Sequence, residues 1–380
     1  MKSFYISFIT LLLILKTIEG VPQNVNTLGQ TDGYIPTGVP FLLIAPDARS
    51  NGIGCVGAAT SPDANSLHWN PAKLAFINPD FGISLSYLPW LRQLVNDINY
   101  LNISTFVKFD SIQKIGCSFK YLSLGNVDYI TYNGNSLGSA NPVEYSIDLS
   151  YSRKLSLKTF GAISIRHIYS EDLNLSVNYP VDVTFKAFAF DLSLFHFIPI
   201  SIFKTPSQIS YGIALSNIGP LIKNVSDSVK FLPSNLKIGT SLKLAFNENH
   251  SVEISFDANK LLAPEHPENS KNWSDGFFGS FADASGGFEE EMQEINIGTG
   301  IEYWFRNEIA LRTGYFYESP LKGNRQFFTL GSGIKYKSFC FDFAYLFPSE
   351  QRNPLENTVT FSLSYYFSKT KQKEIKRFSS

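Results

Sequence analysis

The stretch FCFDFAYLF, residues 339–347, carries an aromatic ring at every second position, with Cys, Asp, Ala and Leu between the rings. A period of two places alternate side chains on opposite faces of a β-strand. The stretches INIGTGIEYWF (295–305) and VTFSLSYYF (359–367) alternate in the same way. About fourteen such segments lie between residues 81 and 367, and they begin near residues 82, 99, 112, 144, 159, 184, 207, 235, 250, 294, 309, 327, 338 and 358.

Composition indicates where such strands belong. The chain of 380 residues is 15% aromatic, with 33 Phe and 19 Tyr, whereas its hydrophobic fraction is an ordinary 44%. Strands of a transmembrane barrel give this combination, because only their outer face meets lipid. A helical membrane protein is excluded, since no run beyond the N-terminus approaches the roughly 20 apolar residues of a spanning helix. We predict an all-β fold, a transmembrane antiparallel β-barrel of about 14 strands.

The connections between these segments alternate between short and long. Outer-membrane barrels have short periplasmic turns and long outer loops. If the N-terminus of the barrel is periplasmic, the long connections fall on the outer side, with a single exception. A soluble β-sandwich is the alternative, but it explains neither the sustained apolar face nor this asymmetry. We expect one long inner connection, at 198–206, which contains Pro199 and Pro206. The predicted outer loops lie near 123–143, 170–183, 217–234, 259–292, 317–326 and 347–357.

Charge and cysteine content exclude several function classes. The formal net charge is -1, which provides no electrostatic footprint for nucleic acid. The three cysteines are widely spaced and odd in number, which argues against a disulfide scaffold and against a cysteine zinc site. The acidic run at 289–291 lacks the ligand alternation of a calcium loop. We therefore predict no metal site, no cofactor and no nucleic-acid partner.

Both ends of the chain differ from the alternating region. Residues 1–20 combine a positive start, a short apolar run and a small final residue, which is the pattern of a cleaved signal peptide. Residues 21–80 do not alternate and are rich in Gly, Pro, Ala and Asn, so we expect an N-terminal plug segment inside or beside the barrel. The barrel is expected at 81–367, and a basic periplasmic tail at 368–380.

An ordered series of motifs resembles one known family. The residues WNPAKL at 69–74 resemble the plug signature of the FadL-like outer-membrane proteins. Further motifs along nearly the whole chain are similar to the PorV/PorQ branch of that family, which belongs to the type IX secretion system. These motifs are APDAR (45–49), YLPWLR (87–92), SFADASGGF (280–288), EYW (302–304), GYFYE (314–318), GNR (323–325) and FFTLG (327–331).

The resemblance implies a function in the bacterial outer membrane. Members of this branch bind the folded C-terminal signal domains of secreted cargo, associate with a giant outer-membrane translocon barrel, and pass cargo to a sortase-containing attachment complex. The expected partners are these three, together with outer-membrane lipid and lipopolysaccharide. On this interpretation the protein is a non-enzymatic cargo receptor and shuttle. The alternative is a FadL-like transporter of hydrophobic small molecules, and a lipid A deacylase is a less favoured third hypothesis.

Candidate contact residues come from the outer loops. Trp90, Leu91 and Arg92 follow the first strand, and we expect them to be exposed, since interfaces use aromatic and Arg side chains as anchors. Trp90 could instead face lipid headgroups as a girdle residue. The loop at 259–292 is unusually aromatic, and its rings either contact partners or fold back over the barrel mouth as a cap. Its candidate partner-binding residues are Trp273, Phe277, Phe278, Phe281 and Phe288.

Two further sets of residues are better explained by structure than by chemistry. Asn70, Pro71 and Ala72 are expected to form a structural turn of the plug, because Pro fixes φ and Asn bonds nearby backbone. His167 and Ser170 are the pair a hydrolase would use, but three residues apart on a strand they point to opposite faces. We therefore assign no catalytic residue. The inward positions are mostly polar or charged, which argues against a conduit for hydrophobic molecules.

Overall fold

The structure is a computed structural model of the chain. It describes residues 25–31, 33–130, 133, 136–174, 181–202, 205–223, 229–267, 270, 272–349 and 353–368. The predicted signal peptide, and all but the first residue of the predicted basic tail, lie outside the described residues.

Antiparallel strands dominate the described chain. They are β1 (Phe81–Pro89), β2 (Asn99–Lys108), β3 (Gln113–Ser123), β4 (Val127–Ile130), β5 (Ser136–Ala140), β6 (Val143–Lys154), β7 (Thr159–Asn174), β8 (Val181–Ile202), β9 (Thr205–Ile218), β10 (Ile222–Lys223), β11 (Val229–Lys230), β12 (Asn235–Ala245), β13 (His250–Leu261), β14 (Ile295–Phe305), β15 (Ile309–Tyr317), β16 (Gln326–Tyr336), β17 (Phe339–Pro348) and β18 (Val359–Phe367). Of these described strands, fourteen close into one barrel, and β4–β5 and β10–β11 form two hairpins in outer loops. The predicted antiparallel barrel of about fourteen strands is confirmed, and each barrel strand begins within three residues of its predicted start.

The period of two in the sequence separates an inner from an outer face of the barrel. On β1, Ser84 is buried, while its neighbours Ile83 and Leu85 are exposed. Ser84 lies opposite Ser104 on one adjacent strand and Ser364 on the other, so polar side chains form rows across the inner face. The outward apolar side chains are the ones that meet acyl chains in a bilayer. Closure gives each barrel strand a partner on both sides, as the absence of water inside a bilayer requires.

The connection at 198–206 is shorter than predicted, so the expectation of one long inner connection is wrong. β8 extends to Ile202 and β9 begins at Thr205, so both strands run through this connection. Pro199 lies opposite Gln208, and Pro206 lies opposite Ser201, within this pair of strands. Both prolines lie beyond the last pairs that β8 makes with β7 and β9 makes with β12. A strand with a neighbour on one side only tolerates proline, which has no N–H to donate to a second neighbour.

Residues 40–77, called the lumenal segment from here on, lie inside the barrel and contribute to its core. They contain a 3-10 helix at Pro40–Leu43, α1 (Ala48–Asn51), α2 (Ser66–Trp69) and a second 3-10 helix at Pro71–Phe76. One buried apolar cluster joins Phe41 of the lumenal segment to Tyr100 and Phe316 of the wall. The core therefore sits in the lumen, between the wall and a chain segment that has no strands of its own.

The connection between β13 and β14, residues 262–294, is called the α3–α4 loop from here on. It contains α3 (Trp273–Gly279) and α4 (Phe288–Gln293). Asn272 caps α3, since its side-chain oxygen accepts the N–H of Asp275 at 3.0 Å. The acidic run at 289–291 lies in the first turn of α4, where helix N-termini favour negative charge. Among the described residues, no helix has the length and hydropathy needed to cross a membrane.

Candidate functional site

Arg49 ties the lumenal segment to the barrel wall. Its guanidinium donates to both carboxylate oxygens of Glu302, at 2.9 and 2.8 Å, and to Asp63 at 2.9 Å. Glu302 also accepts a hydrogen bond from Arg312 at 2.7 Å, and Glu253 lies 3.6 Å from Arg49. Removing one partner of a buried ion cluster is costly, because the charges left behind lose both water and counter-ion. The cluster therefore fixes the lumenal segment to β13, β14 and β15.

A second anchor holds the backbone of the lumenal segment. One carboxylate oxygen of Asp257 accepts the N–H groups of Gly57 and Ala58, at 2.7 and 2.9 Å. A Cβ atom at Gly212 would overlap the carbonyl group of Ala58, so only glycine permits this approach. Gly239 lies opposite Gly212 on the next strand. Sequence reasoning missed this anchor, although two inward glycines on adjacent strands are a signal for close backbone contact.

The turn at Asn70, Pro71 and Ala72 joins the lumenal segment to β8. The side-chain oxygen of Asn70 accepts the N–H of Ala72 at 3.1 Å. Its amide nitrogen donates to the carbonyl oxygens of Ala58 and Leu194, at 2.8 and 2.9 Å. All polar atoms of this side chain are engaged within the protein, so the geometry favours a structural role.

On the side of the long loops, the lumen above the lumenal segment contains two adjoining cavities. The outer cavity has a volume of about 480 Å³ and is lined in part by residues 25–40 and by Phe185. The deep cavity has a volume of about 100 Å³ and lies against Trp69 and Lys237. Pockets for small ligands occupy about 300–1,000 Å³, so the outer cavity is of ligand size. The residues that line both cavities are Leu43, Asn235, Asn296 and Arg325.

Trp90 and Leu91 are buried, so the expectation that they are exposed is wrong. Trp90 is 6% exposed, and its indole N–H donates to the carbonyl oxygen of Thr27 at 2.7 Å. Both side chains belong to the apolar cluster that fills the lumen, because the chain turns inward after β1. Trp90 therefore faces neither solvent nor lipid headgroups. Arg92 is half-buried and donates to the side-chain oxygen of Asn99 at 3.3 Å.

The aromatic residues of the α3–α4 loop divide into two groups. Phe277 is buried and packs on the half-buried ring of Trp273, with ring centroids 5.1 Å apart. Phe278, Phe281 and Phe288 are exposed, Phe288 to 78%. One face of the loop thus packs on itself, and another presents large apolar side chains to solvent. Exposed apolar surface of this kind is typical of a docking site.

Lysines from neighbouring elements stabilise the α3–α4 loop. Lys260 of β13 donates to Glu291 at 2.9 Å and to Glu294 at 2.7 Å. Lys322 lies 2.7 Å from Glu290. Burial works to lower the pKa of Lys322, but hydrogen bonds to its carboxylate partners prevail and raise this pKa above its ordinary value. Burial raises the pKa of Glu294, and the nearby Lys260 opposes that rise.

The carboxylates of Asp283, Glu291 and Glu294 in this loop come within 4.8 Å of one another, a spacing that suits a metal ion. Two of the three already bind the ammonium group of Lys260. The lysine supplies the positive charge that a cation would bring. The cluster is therefore explained as an ion-pair network, and we assign no metal to it.

The histidine and serine of the hydrolase hypothesis lie on opposite faces of β7. His167 packs against the rings of Tyr145 and Phe188, with centroids 6.5 and 5.2 Å away. Ser170 is buried, and its hydroxyl donates to Glu144 at 2.5 Å. A general base must reach the proton it removes. The described geometry does not bring this base and this nucleophile together.

Three comparisons place these features among known proteins. A family model described as "Type IX secretion system protein PorV" matches residues 28–268. The crystal structure of the Pseudomonas putida toluene transporter TodX is similar, with a TM-score of 0.51 and 12% identity, over 88% of this chain and 99% of that chain. A Pseudomonas aeruginosa FadL homologue has a TM-score of 0.44 and 10% identity, over 89% of this chain and 100% of that chain. No curated protein matches the chain significantly. At these identities the likeness to TodX shows the fold alone.

Proposed function

The chain belongs to the PorV family of type IX secretion system proteins, and on that premise we propose that it is the receptor that carries secreted cargo at the outer membrane. It is an outer-membrane β-barrel of the FadL-like fold. In the proposed function it binds the C-terminal signal domains of cargo, receives them at the giant translocon barrel and delivers them to the sortase-containing attachment complex. It performs no catalytic step itself.

The observation that carries this proposal is the exposed face of the α3–α4 loop. Phe278, Phe281 and Phe288 offer apolar surface on the side of the long loops. Burying one such side chain against a partner contributes roughly 1.5–3 kcal/mol. Three of them are enough to anchor a protein–protein contact, since few residues supply most of the binding energy of an interface.

Contacts within the protein also hold the described part of the loop in place. Lys260 and Lys322 hold its carboxylates from β13 and from the loop after β15, and Phe277 packs inside it. A surface that is already ordered loses less conformational entropy on binding. This supports a docking role for the α3–α4 loop rather than a role as a loose lid.

A FadL-like transporter is the second candidate, and the outer cavity favours it because its volume of about 480 Å³ suits a small ligand. The contacts of Arg49 and Asp257 argue against transport. They hold the lumenal segment with buried charges and backbone hydrogen bonds, and a conduit would have to break them. We therefore propose cargo binding at the outer surface as the principal function.

The test is an affinity pull-down from detergent-solubilised outer membrane, followed by mass spectrometry. The unmodified protein should recover cargo signal domains, a very large barrel and a sortase-like protein. The double variant Phe278→Ser with Phe288→Ser should lose cargo by about tenfold or more, since it removes two apolar anchors. Phe109→Ser is the matched control, because Phe109 is 73% exposed on the inner turn after β2. Recovery of lipid with no protein partner would replace the proposal by the transporter hypothesis.

A further inference from the structure

A row of three polar side chains crosses the inner face of the barrel at the deep cavity. Lys237 on β12 lies opposite Asn259 on β13, and Asn259 lies opposite Asn296 on β14. All three line the deep cavity. Neighbouring strands thus place an ammonium group and two amide groups side by side, aimed into one small space.

Within the described residues, the ammonium group of Lys237 has neither a hydrogen bond nor an ion pair, although the residue is only 8% exposed. It lies over the ring of Trp69, 4.0 Å from the centroid. The nearby acid Asp257 uses one carboxylate oxygen to hold two backbone N–H groups, and no ion pair joins it to Lys237. Buried charges are normally paired, so this ammonium group lacks the counter-ion that its burial demands.

Two other buried cations of the described lumen, by contrast, form ion pairs. Arg166 lies 2.6 Å from Asp148, and Arg325 lies 2.7 Å from Glu318. The side-chain amides of Asn259 and Asn296 resemble Lys237, since neither bonds a described residue. Three polar side chains that bond no described residue thus lie side by side in one row, an arrangement that a ligand with complementary polar groups would satisfy.

The lining of the deep cavity also includes the buried apolar side chains of Leu42, Phe316 and Leu346, beside polar residues such as Asn51 and Asn217. The deep cavity is small, with a volume of about 100 Å³. It adjoins the outer cavity, with which it shares Asn235 and Asn296 as lining residues. A ligand that fits has a small anionic head in the deep cavity and an apolar body that extends toward the barrel mouth.

We propose that Lys237, Asn259 and Asn296 form a subsite that binds the carboxylate at the end of an apolar chain. The ammonium group pairs with the carboxylate, and amide N–H groups donate to its oxygens. The body of the chain packs on apolar side chains such as Leu42 in the deep cavity and Leu43, which lines both cavities. Two sources carry this chemistry, the C-terminal end of a polypeptide and a free fatty acid. The polypeptide source rests on the proposed function, whereas the carboxylate subsite itself does not.

The experiment measures binding to the full-length mature protein in lipid nanodiscs. Trp69 and Trp90 both line the deep cavity, so tryptophan fluorescence reports its occupancy, and calorimetry supplies the affinity. One pair of probes is an N-acetylated trileucine peptide with a free carboxylate and the same peptide with an amidated end. The second pair is decanoate and 1-decanol. At least one acid should bind about tenfold tighter than its neutral partner, because only the acid forms a charge-assisted bond with the ammonium group.

Variants locate the site. Lys237→Met should remove the preference for the acid, and Lys237→Arg should restore it. Lys243→Met is the matched control, since Lys243 lies on the inner half of the same strand and contacts Ser61 instead. Should Lys237→Met fail to fold, Asn259→Leu together with Asn296→Leu tests the same row without changing its charge, and weaker binding of the acid is expected.

Each outcome is decisive for the subsite. Binding of an acid over its neutral partner, lost in Lys237→Met, supports it. Equal binding of acid and neutral probes, binding of neither, or an unchanged preference in Lys237→Met overturns it. Preference for decanoate alone assigns the site to lipid, and preference for the peptide acid assigns it to a polypeptide end. Cargo recovery in the pull-down is a separate measurement, so a failure of the receptor function is distinguishable from a failure of the subsite.

Discussion

The lumenal segment and the α3–α4 loop both lack strands, and ion pairs hold both in place. They differ in the exposure of their aromatic side chains. Phe41 of the lumenal segment is fully buried, whereas Phe288 of the α3–α4 loop is 78% exposed. Arg49 uses its donors to join the lumenal segment to the wall. The comparison indicates that contacts within the protein use the side chains of the lumenal segment. The α3–α4 loop is also held by such contacts, but it leaves apolar side chains exposed where a partner could bind them.

Arg49→Met should have the largest effect. It removes the shared partner of Glu302 and Asp63, and the loss of one member of a buried ion cluster costs about 3–5 kcal/mol. The measurement is the free energy of unfolding in guanidinium. Arg153→Met, an exposed arginine on β6, should stay within about 0.5 kcal/mol of the unmodified protein. Equal stability of both variants would show that Arg49 does not anchor the lumenal segment.

Gly212→Ala should have an intermediate effect. The new Cβ would overlap the carbonyl group of Ala58 and force the lumenal segment away from β9, at a cost of about 1–3 kcal/mol. Gly279→Ala in the α3–α4 loop is the matched control, because a Cβ there meets nothing within 4 Å. The same unfolding measurement applies. A similar loss in both variants would contradict the contrast between a tightly packed segment and an open loop.

Acid should loosen the α3–α4 loop, which gives a smaller effect than the two substitutions above. Burial works to raise the pKa of Glu291, but hydrogen bonds from Ala284 and Lys260 prevail and lower it below its usual 4.5. A carboxylate with a lowered pKa stabilises the fold above its unfolded pKa and loses that effect as pH falls through the folded pKa. The loop should therefore hold its packing from neutral pH down to about 4.5 and weaken below that.

The readout for this acid transition is the difference in fluorescence between the protein and its Trp273→Phe variant. Glu291→Gln should abolish the transition. Glu289→Gln is the matched control and should preserve it, since Glu289 is exposed in the same acidic run. An unaltered transition in Glu291→Gln would contradict the assigned cause.

The wall of the barrel was predictable because its signal is local. The alternation at 339–347 defines one apolar and one polar face, and no partner needs to be known to see it. The same parity placed Lys237, Glu302 and Arg312 on the inner face. The prediction of a long connection at 198–206 is wrong because it rests on two prolines as signs of a loop. Sequence alone does not show that the neighbouring strands end earlier and leave room for proline.

The contacts of the site were less predictable because they join distant parts of the chain. Trp90 follows a strand end, where periodicity no longer applies, and its partner Thr27 lies far away in sequence. The bond between Arg49 and Glu302 is similarly non-local. The aromatic content of the α3–α4 loop pointed to an unusual surface, but only the fold separates buried Phe277 from exposed Phe288.

The most direct test of the receptor function is site-specific photo-crosslinking in living cells. A photo-reactive amino acid is placed at Phe288 in one strain and at Phe109 in another, and crosslinked products are identified by mass spectrometry. We expect products at Phe288 that contain the C-terminal domain of a secreted protein, and none of these at Phe109. Absence of cargo at Phe288, or equal yields at both positions, would contradict the proposal that the α3–α4 loop receives cargo.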